Sequence, residues 1–211
     1  MVSFDFDVKK IKNLVFDVGG ILLGYRWEDM FKDHGTDKEK ALSIGRGLFD
    51  SKDWTLYDSG FISTKELIDR FCIKYPDLEE EARWFLNNAI LMRVPREKVY
   101  EELKIIKEKG YKIYLLSNYS QELFELHTSD LPFRKITDGE LVSYMVKTVK
   151  PNREIYEILR DRFSLNPIES VFFDDREDNV NGAIACGFNG VHIKDQSEEY
   201  RQIFNDREQA D

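Results

Sequence analysis

The stretch NLVFDVGGILL, residues 13 to 23, runs three apolar residues, Leu14, Val15 and Phe16, into a carboxylate, Asp17, and then into the glycine pair Gly19-Gly20. Three other stretches bring comparable groups to the end of an apolar run or the start of a helical one. YKIYLLSN (111–118) ends in Ser117-Asn118, and VKPNREIY (149–156) sets Lys150 before Pro151. SVFFDDREDN (170–179) ends its apolar run in Asp174-Asp175, with Asp178 and Asn179 just beyond. Two or three carboxylates packed together raise one another's pKa unless a cation sits among them. Mg²⁺ suits such a group, because it takes oxygen ligands and binds through one or two carboxylates plus a substrate phosphate. A lysine, a hydroxyl and turn N–H groups then hold the remaining phosphate oxygens. A carboxylate also serves as a nucleophile, forming an acyl phosphate that water hydrolyses.

These groups share a pocket only if the fold brings strand ends together. Strand-like apolar runs occur at 13–18, 111–117, 135–138 (KITD), 170–175 and 190–193. Helical spacing lies between them. In 96–110, Val99, Leu103 and Ile106 share a face and a glycine closes the helix; 152–164 aligns Ile155, Ile158 and Leu159; 177–187 is a shorter helix closed by Gly187. Strands alternating with such helices predict an α/β fold, a Rossmann-like doubly wound parallel sheet. In such sheets ligands bind beyond the carboxyl ends of the strands. Residues 24–93 break the rhythm. They show no convincing strand, three helical pieces (37–51, 63–75 and 78–90), a capping signal at Ser63 to Glu66, and all three tryptophans, Trp27, Trp54 and Trp84. The expected organisation is an α/β core domain from 1–23 and 94–211, with a small all-helical cap domain, 24–93, inserted after the first strand.

The four stretches resemble, in order and spacing, the four motifs of the haloacid dehalogenase-like (HAD) hydrolase superfamily. FDVGGIL resembles motif I, LLSNYS motif II, VKPNREIY motif III and VFFDDREDN motif IV, and the match runs over roughly residues 11 to 195. The inserted helices resemble the small cap of the subgroup that carries its cap between motifs I and II. Most members with motif IV acids are Mg²⁺-dependent phosphatases. The resemblance implies that Asp17 is the nucleophile and that Ser117 and Lys150 bind the phosphoryl group, with the Asn118 backbone and Val18 assisting. It implies Mg²⁺ held by Asp17, Asp175 and the Gly19 carbonyl, with Asp174 a near or water-mediated ligand. The expected substrate is a small phosphorylated metabolite such as a sugar phosphate.

Position 19 departs from the family pattern. In many of these phosphatases the residue two past the nucleophile is a second Asp, which protonates the leaving group and then activates water. Here it is Gly19, and losing a general acid typically costs about 10²–10⁴ in rate. Three readings follow: a phosphatase whose leaving group needs little protonation, as in some bacterial sugar-phosphate phosphatases with a similar Asp-x-Gly-Asn motif; a 2-haloacid dehalogenase; or a catalytically weak relative that binds a phosphorylated ligand or a partner protein. The paired acids at 174–175 argue against the dehalogenase, which usually has Ser or Asn there and an aromatic residue at position 19. Tyr25, Arg26 and Trp27 follow the first strand directly and are candidates to face the pocket, Arg26 neutralising a second anionic group. Trp27 and Trp54 are expected in the cap's core.

Composition narrows the partners. The chain has 211 residues, 42% hydrophobic and 34% charged, with a net charge of −9 and a pI near 5.0. An acidic surface argues against nucleic acid or anionic membrane as the main partner. MVSFDFDVKK lacks a basic segment followed by an apolar run, and no stretch approaches the ~20 apolar residues that span a bilayer. A cytoplasmic monomer or homodimer is expected. Cys72 and Cys186 lack metal-ligand spacing and read as buried free thiols, and His34, His127 and His192 read as surface or satisfied side chains.

Overall fold

The structure is a computed structural model in which residues 6–194 are described. In chain order its elements are β1 (Asn13–Phe16), β2 (Leu23–Tyr25), α1 (Trp27–His34), α2 (Lys38–Phe49), α3 (Lys52–Asp58), α4 (Thr64–Lys74), α5 (Glu79–Asn87) and β3 (Arg93–Pro95). Then come α6 (Glu97–Glu108), β4 (Lys112–Ser117), α7 (Gln121–Thr128), α8 (Phe133–Ile136), β5 (Gly139–Val142), α9 (Ser143–Val146), α10 (Arg153–Phe163), β6 (Ser170–Asp174), α11 (Glu177–Ala185) and β7 (Asn189–His192). Five strands form one parallel sheet in the order β5-β4-β1-β6-β7. The chain therefore has the α/β, Rossmann-like fold that alternating strands and helices predict.

β1 is central because its residues are apolar on both faces. Leu14 and Phe16 enter one hydrophobic cluster and Val15 the other, the continuous apolar pattern of a strand covered by helices on both sides. Phe16 stacks on Phe173 of β6 with ring centroids 4.9 Å apart. Burying each such ring contributes roughly 1.5–3 kcal/mol. The register pairs Phe16 with Phe173 and with Leu115. The next residues along these strands are then Asp17, Asp174 and, two past Leu115, Ser117, so the sheet delivers three polar groups to one edge.

Between β2 and β3 lie five helices. Their faces carry Met30, Phe31, Ile44, Leu48, Leu67, Phe71 and Phe85 inward, and α4 starts with the expected capping box, Ser63 and Glu66 each bonding the other's backbone N–H. Two features differ from expectation. Residues 23–25 and 93–95 pair as a short antiparallel ribbon at the borders of the helical segment, so the segment is not wholly without strand. Residues 135–138 are not a strand: 133–136 form one helical turn after Pro132, and the edge strand begins at Gly139. No helix among the described residues is long and apolar enough to cross a membrane. Cys72 is buried, but Cys186 only partly so.

Candidate active site

A cavity of about 460 Å³ opens between the carboxyl ends of the sheet and the helical segment. Asp17, Gly19, Ser117, Asn118, Lys150 and Asp175 line it from the sheet side. Trp27, Phe49, Trp54 and Asp58 line it from α1, α2 and α3, and Tyr25 from β2.

Asp17 is 7% exposed. Its Oδ1 accepts from Val18 N–H at 2.7 Å and Ser117 Oγ at 2.6 Å, and Lys150 Nζ stands 2.9 Å away. Among the described residues its Oδ2 takes no hydrogen bond. Three donors on one oxygen fix the carboxylate's orientation and leave the other oxygen exposed to a substrate. Lys150 is almost fully enclosed; its ammonium also meets Asp174 Oδ2 at 2.6 Å and Leu116 O at 3.0 Å. Its three protons are thus matched by three acceptors. Burial alone would lower the Lys150 pKa, but Asp17 and Asp174 outweigh it and hold it above its ordinary value.

One lysine does not balance three acids. Asp17, Asp174 and Asp175 each offer an oxygen within 4.8 Å of the others. Asp174 is wholly buried and held by both Lys150 and Asn179, whose Nδ2 lies 3.0 Å from each of its oxygens. Asp175 opens to the cavity, and burial plus the charge of Asp174 raises its pKa. Asp17 is pushed up to about 7, by burial first and then by Asp174 and Asp175, against Lys150 and Ser117. This excess negative charge around an oxygen-only donor set fits a hard divalent cation such as Mg²⁺. Gly20 makes room for the arrangement: its φ is +73°, and a Cβ there would lie 2.2 Å from Asp175 Oδ2.

Other expected site residues sit differently. Arg26 does not line the cavity; its guanidinium pairs with Asp33 at the surface, so it does not neutralise a second anionic group on a ligand. Asn118 lines the cavity, but its side chain clamps the backbone of Lys150 through paired hydrogen bonds of 2.9 and 2.8 Å. The Val18 side chain is fully buried and its N–H is spent on Asp17. Asn179, just beyond the paired acids, holds Asp174 through its side-chain amide. Trp27 and Trp54, expected in the core, are partly buried and form the cavity wall with Phe49.

Gly19 has a neighbour that explains its size. A Cβ built there would meet Tyr25 Oη at 2.9 Å and Cε2 at 3.0 Å. Tyr25 is 40% exposed overall, yet its hydroxyl meets the buried Tyr119 hydroxyl at 2.5 Å. Tyr119 Oη in turn lies 2.9 Å from His127 Nδ1, and His127 Nε2 lies 2.9 Å from Ala89 O. A carbonyl only accepts, so Nε2 carries the proton and Nδ1 accepts. Tyr119 then donates to His127, and Tyr25 donates to Tyr119. Burial keeps His127 neutral by lowering its pKa. Neither Asp58 nor this Tyr–Tyr–His chain was legible in the sequence. Tyr25 and Tyr119 are 94 residues apart, and an Asp at a helix end carries no motif.

The haloacid dehalogenase-like hydrolase family model matches residues 11–187, so the chain belongs to that family and is a hydrolase. It is 25% identical over 190 residues to a sesquiterpene phosphatase of Aspergillus oryzae, covering 87% of this chain and 90% of that one. It is 31% identical over 96 residues to (S)-2-haloacid dehalogenase 4A of Burkholderia cepacia, covering 46% of this chain and 42% of that one. A HAD family enzyme from Bacteroides thetaiotaomicron, solved in complex with magnesium and inorganic phosphate, has the same fold: TM-score 0.73, 21% identity, 91% of this chain and 98% of that one.

Proposed function

We propose that the protein is a Mg²⁺-dependent phosphatase that hydrolyses a small phosphorylated metabolite through an aspartyl-phosphate on Asp17. The observation that carries this reading is the surplus of carboxylates: three acids within 4.8 Å of one another beside a single lysine. A phosphatase among its relatives and the magnesium and phosphate in one structural neighbour support it. Asp17, Asp175 and the Gly19 carbonyl would hold the cation, with Asp174 behind them. When bound, Mg²⁺ offsets the carboxylate charge and that of the phosphoryl oxygens.

The chain's own residues do the rest. The three donors on Asp17 Oδ1 aim Oδ2 at phosphorus. Lys150 pairs with both Asp17 and Asp174 and opposes the rise that burial imposes on Asp17. Ser117 and Lys150 both donate to Asp17; to bind phosphoryl oxygens, the role that the motif resemblance implies, each would turn a proton from Asp17 to the substrate. The aromatic wall of Trp27, Phe49 and Trp54 excludes water and receives the uncharged part of the substrate. A small metabolite is the class that a 460 Å³ cavity accommodates.

A dehalogenase is the second reading, favoured by the partial match to (S)-2-haloacid dehalogenase 4A. Phosphate release over a panel of sugar, alkyl and acyl phosphates, with Mg²⁺ and with excess chelator, tests the first. Halide release from 2-haloacids in the same buffers tests the second. Metal-dependent phosphate release is expected. Halide release without phosphate release would replace the phosphatase with the dehalogenase.

A further inference from the structure

We propose that Asp58, delivered by the helical segment rather than by the loop after β1, is the acid–base residue of the reaction, standing in for the carboxylate that position 19 lacks. This rests on the phosphatase reading above.

Elimination among the cavity's described residues leads to Asp58. Position 19 has no room for a carboxylate while the Tyr25 ring covers it. Tyr25 has no free proton to give: the hydrogen-bond chain through Tyr119 to His127 commits its hydroxyl proton to Tyr119 and leaves it a lone pair. Lys150 spends its three protons on Asp17, Asp174 and Leu116 O. Asp175 belongs to the cation-binding set, and Arg176 and Asp178 are exposed on the first turn of α11 and just before it.

Asp58 has the required placement. It ends α3 and lines the same cavity as Asp17, but from another wall. Its backbone is fixed, since Ser143 Oγ donates to Asp58 O at 2.5 Å. The Ser120 N–H and the Trp54 indole N–H lie close enough to its carboxyl to favour the charged form, as does Lys150; burial and the charge of Asp17 oppose them and prevail, pushing its pKa to about 7. A group that holds its proton near neutrality and gives it up readily is what general acid–base catalysis uses.

The steps balance. Asp17 Oδ2 attacks phosphorus as the bond to the bridging oxygen breaks, and that oxygen takes the Asp58 proton and leaves as an alcohol. The Asp58 carboxylate then accepts a proton from water as the water oxygen attacks phosphorus. The bond from phosphorus to Asp17 breaks, inorganic phosphate is released, and Asp17 and protonated Asp58 are restored.

The test compares two substrates in one protein: an alkyl phosphate, whose leaving group needs a proton, and p-nitrophenyl phosphate, whose leaving group does not. In Asp58→Asn the ratio of kcat/KM for the alkyl phosphate to that for p-nitrophenyl phosphate should fall by about 10²–10⁴. The amide matches the carboxyl in shape, so the end of α3 keeps its packing. A purely structural role would lower both substrates alike and leave the ratio unchanged. An unchanged ratio in a variant with a wild-type melting profile overturns the proposal. Should the Asn variant not fold, Asp58→Ser is read the same way. If wild type releases phosphate from neither substrate, the phosphatase reading fails and takes this proposal with it, an outcome distinct from an active wild type whose ratio ignores Asp58.

Discussion

Filling position 19 is the most informative perturbation of the pocket. Gly19 does not have a left-handed φ, so Gly19→Asp carries no backbone strain; its cost lies in the Tyr25 ring, whose hydroxyl and Cε2 would be 2.9 and 3.0 Å from the new Cβ. The ring must swing away, and the hydrogen bond from Tyr25 to Tyr119 is then lost. Leaving the Tyr119 oxygen without its donor costs about 1–3 kcal/mol. For a chain of this size each kcal/mol lowers Tm by roughly 2–4 °C, so the single variant should melt about 2–12 °C below wild type. Tyr25→Ala alone breaks the same hydrogen bond and empties the same space. The double variant Gly19→Asp/Tyr25→Ala breaks that bond only once and has no ring to displace. Its destabilisation should therefore be smaller than the sum of the two single variants, by about 1 kcal/mol or more. Urea denaturation of all four proteins measures the coupling. Strict additivity would refute the claim that Tyr25 is what keeps residue 19 small. In the Asp58→Asn background the double variant should also raise alkyl phosphate turnover, because it installs a carboxyl close to the reacting group.

Further expectations concern the charges. Lys150→Ala should destabilise the fold by about 3–5 kcal/mol, because Asp17 and Asp174 are then buried without a cationic partner; chemical denaturation checks this, and added Mg²⁺ should restore part of the loss. Gly20→Ala should add about 1–2 kcal/mol of left-handed strain and push Asp175 from its place, weakening the rise in Tm that Mg²⁺ gives wild type. Asp58 releases its proton near pH 4 when unfolded but near pH 7 when folded. Between these values the folded state binds more protons, so wild-type stability falls as pH rises through the window. Asp58→Asn lacks this dependence and should gain on wild type by roughly 3–4 kcal/mol from pH 4 to pH 8 in chelated buffer; a constant difference in stability would contradict the raised pKa.

The sequence made the sheet legible where apolar runs are long and bounded. β1, β4 and β6 are buried on both faces, so their runs stand out and the polar residues ending them can be placed. The edge strand β5 buries only Leu141 and Val142, too short a signal to outweigh the β-branched pair Ile136-Thr137 beside it. The ribbon of β2 with β3 is three residues long on each side, below what alternation reveals. α1 was missed because its N-cap, Arg26, offers no capping side chain. Asp17, Ser117, Lys150 and Asp175, which strand ends and motifs mark in the sequence, line one cavity. Features that depend on tertiary proximity were not legible: the ring of Tyr25 over Gly19, the Tyr119–His127 relay, and Asp58 arriving from α3. Arg26 differs: its partner Asp33 lies only two turns along the same face of α1, a local pairing that the sequence reading did not consider.

The central claim is that Asp17 attacks phosphorus, and one measurement addresses it directly. Wild type, acid-quenched during turnover of a phosphorylated substrate in heavy-oxygen water, is digested, and the peptide containing Asp17 is weighed along with the released phosphate. The account predicts a phosphoryl adduct on Asp17, heavy oxygen in the phosphate, none in the Asp17 carboxylate, and no adduct in Asp17→Asn. Heavy oxygen in Asp17 itself would contradict it, because water would then have attacked the carboxyl carbon of an ester, as in carbon–halogen cleavage; so would phosphate release by the Asn variant at the wild-type rate.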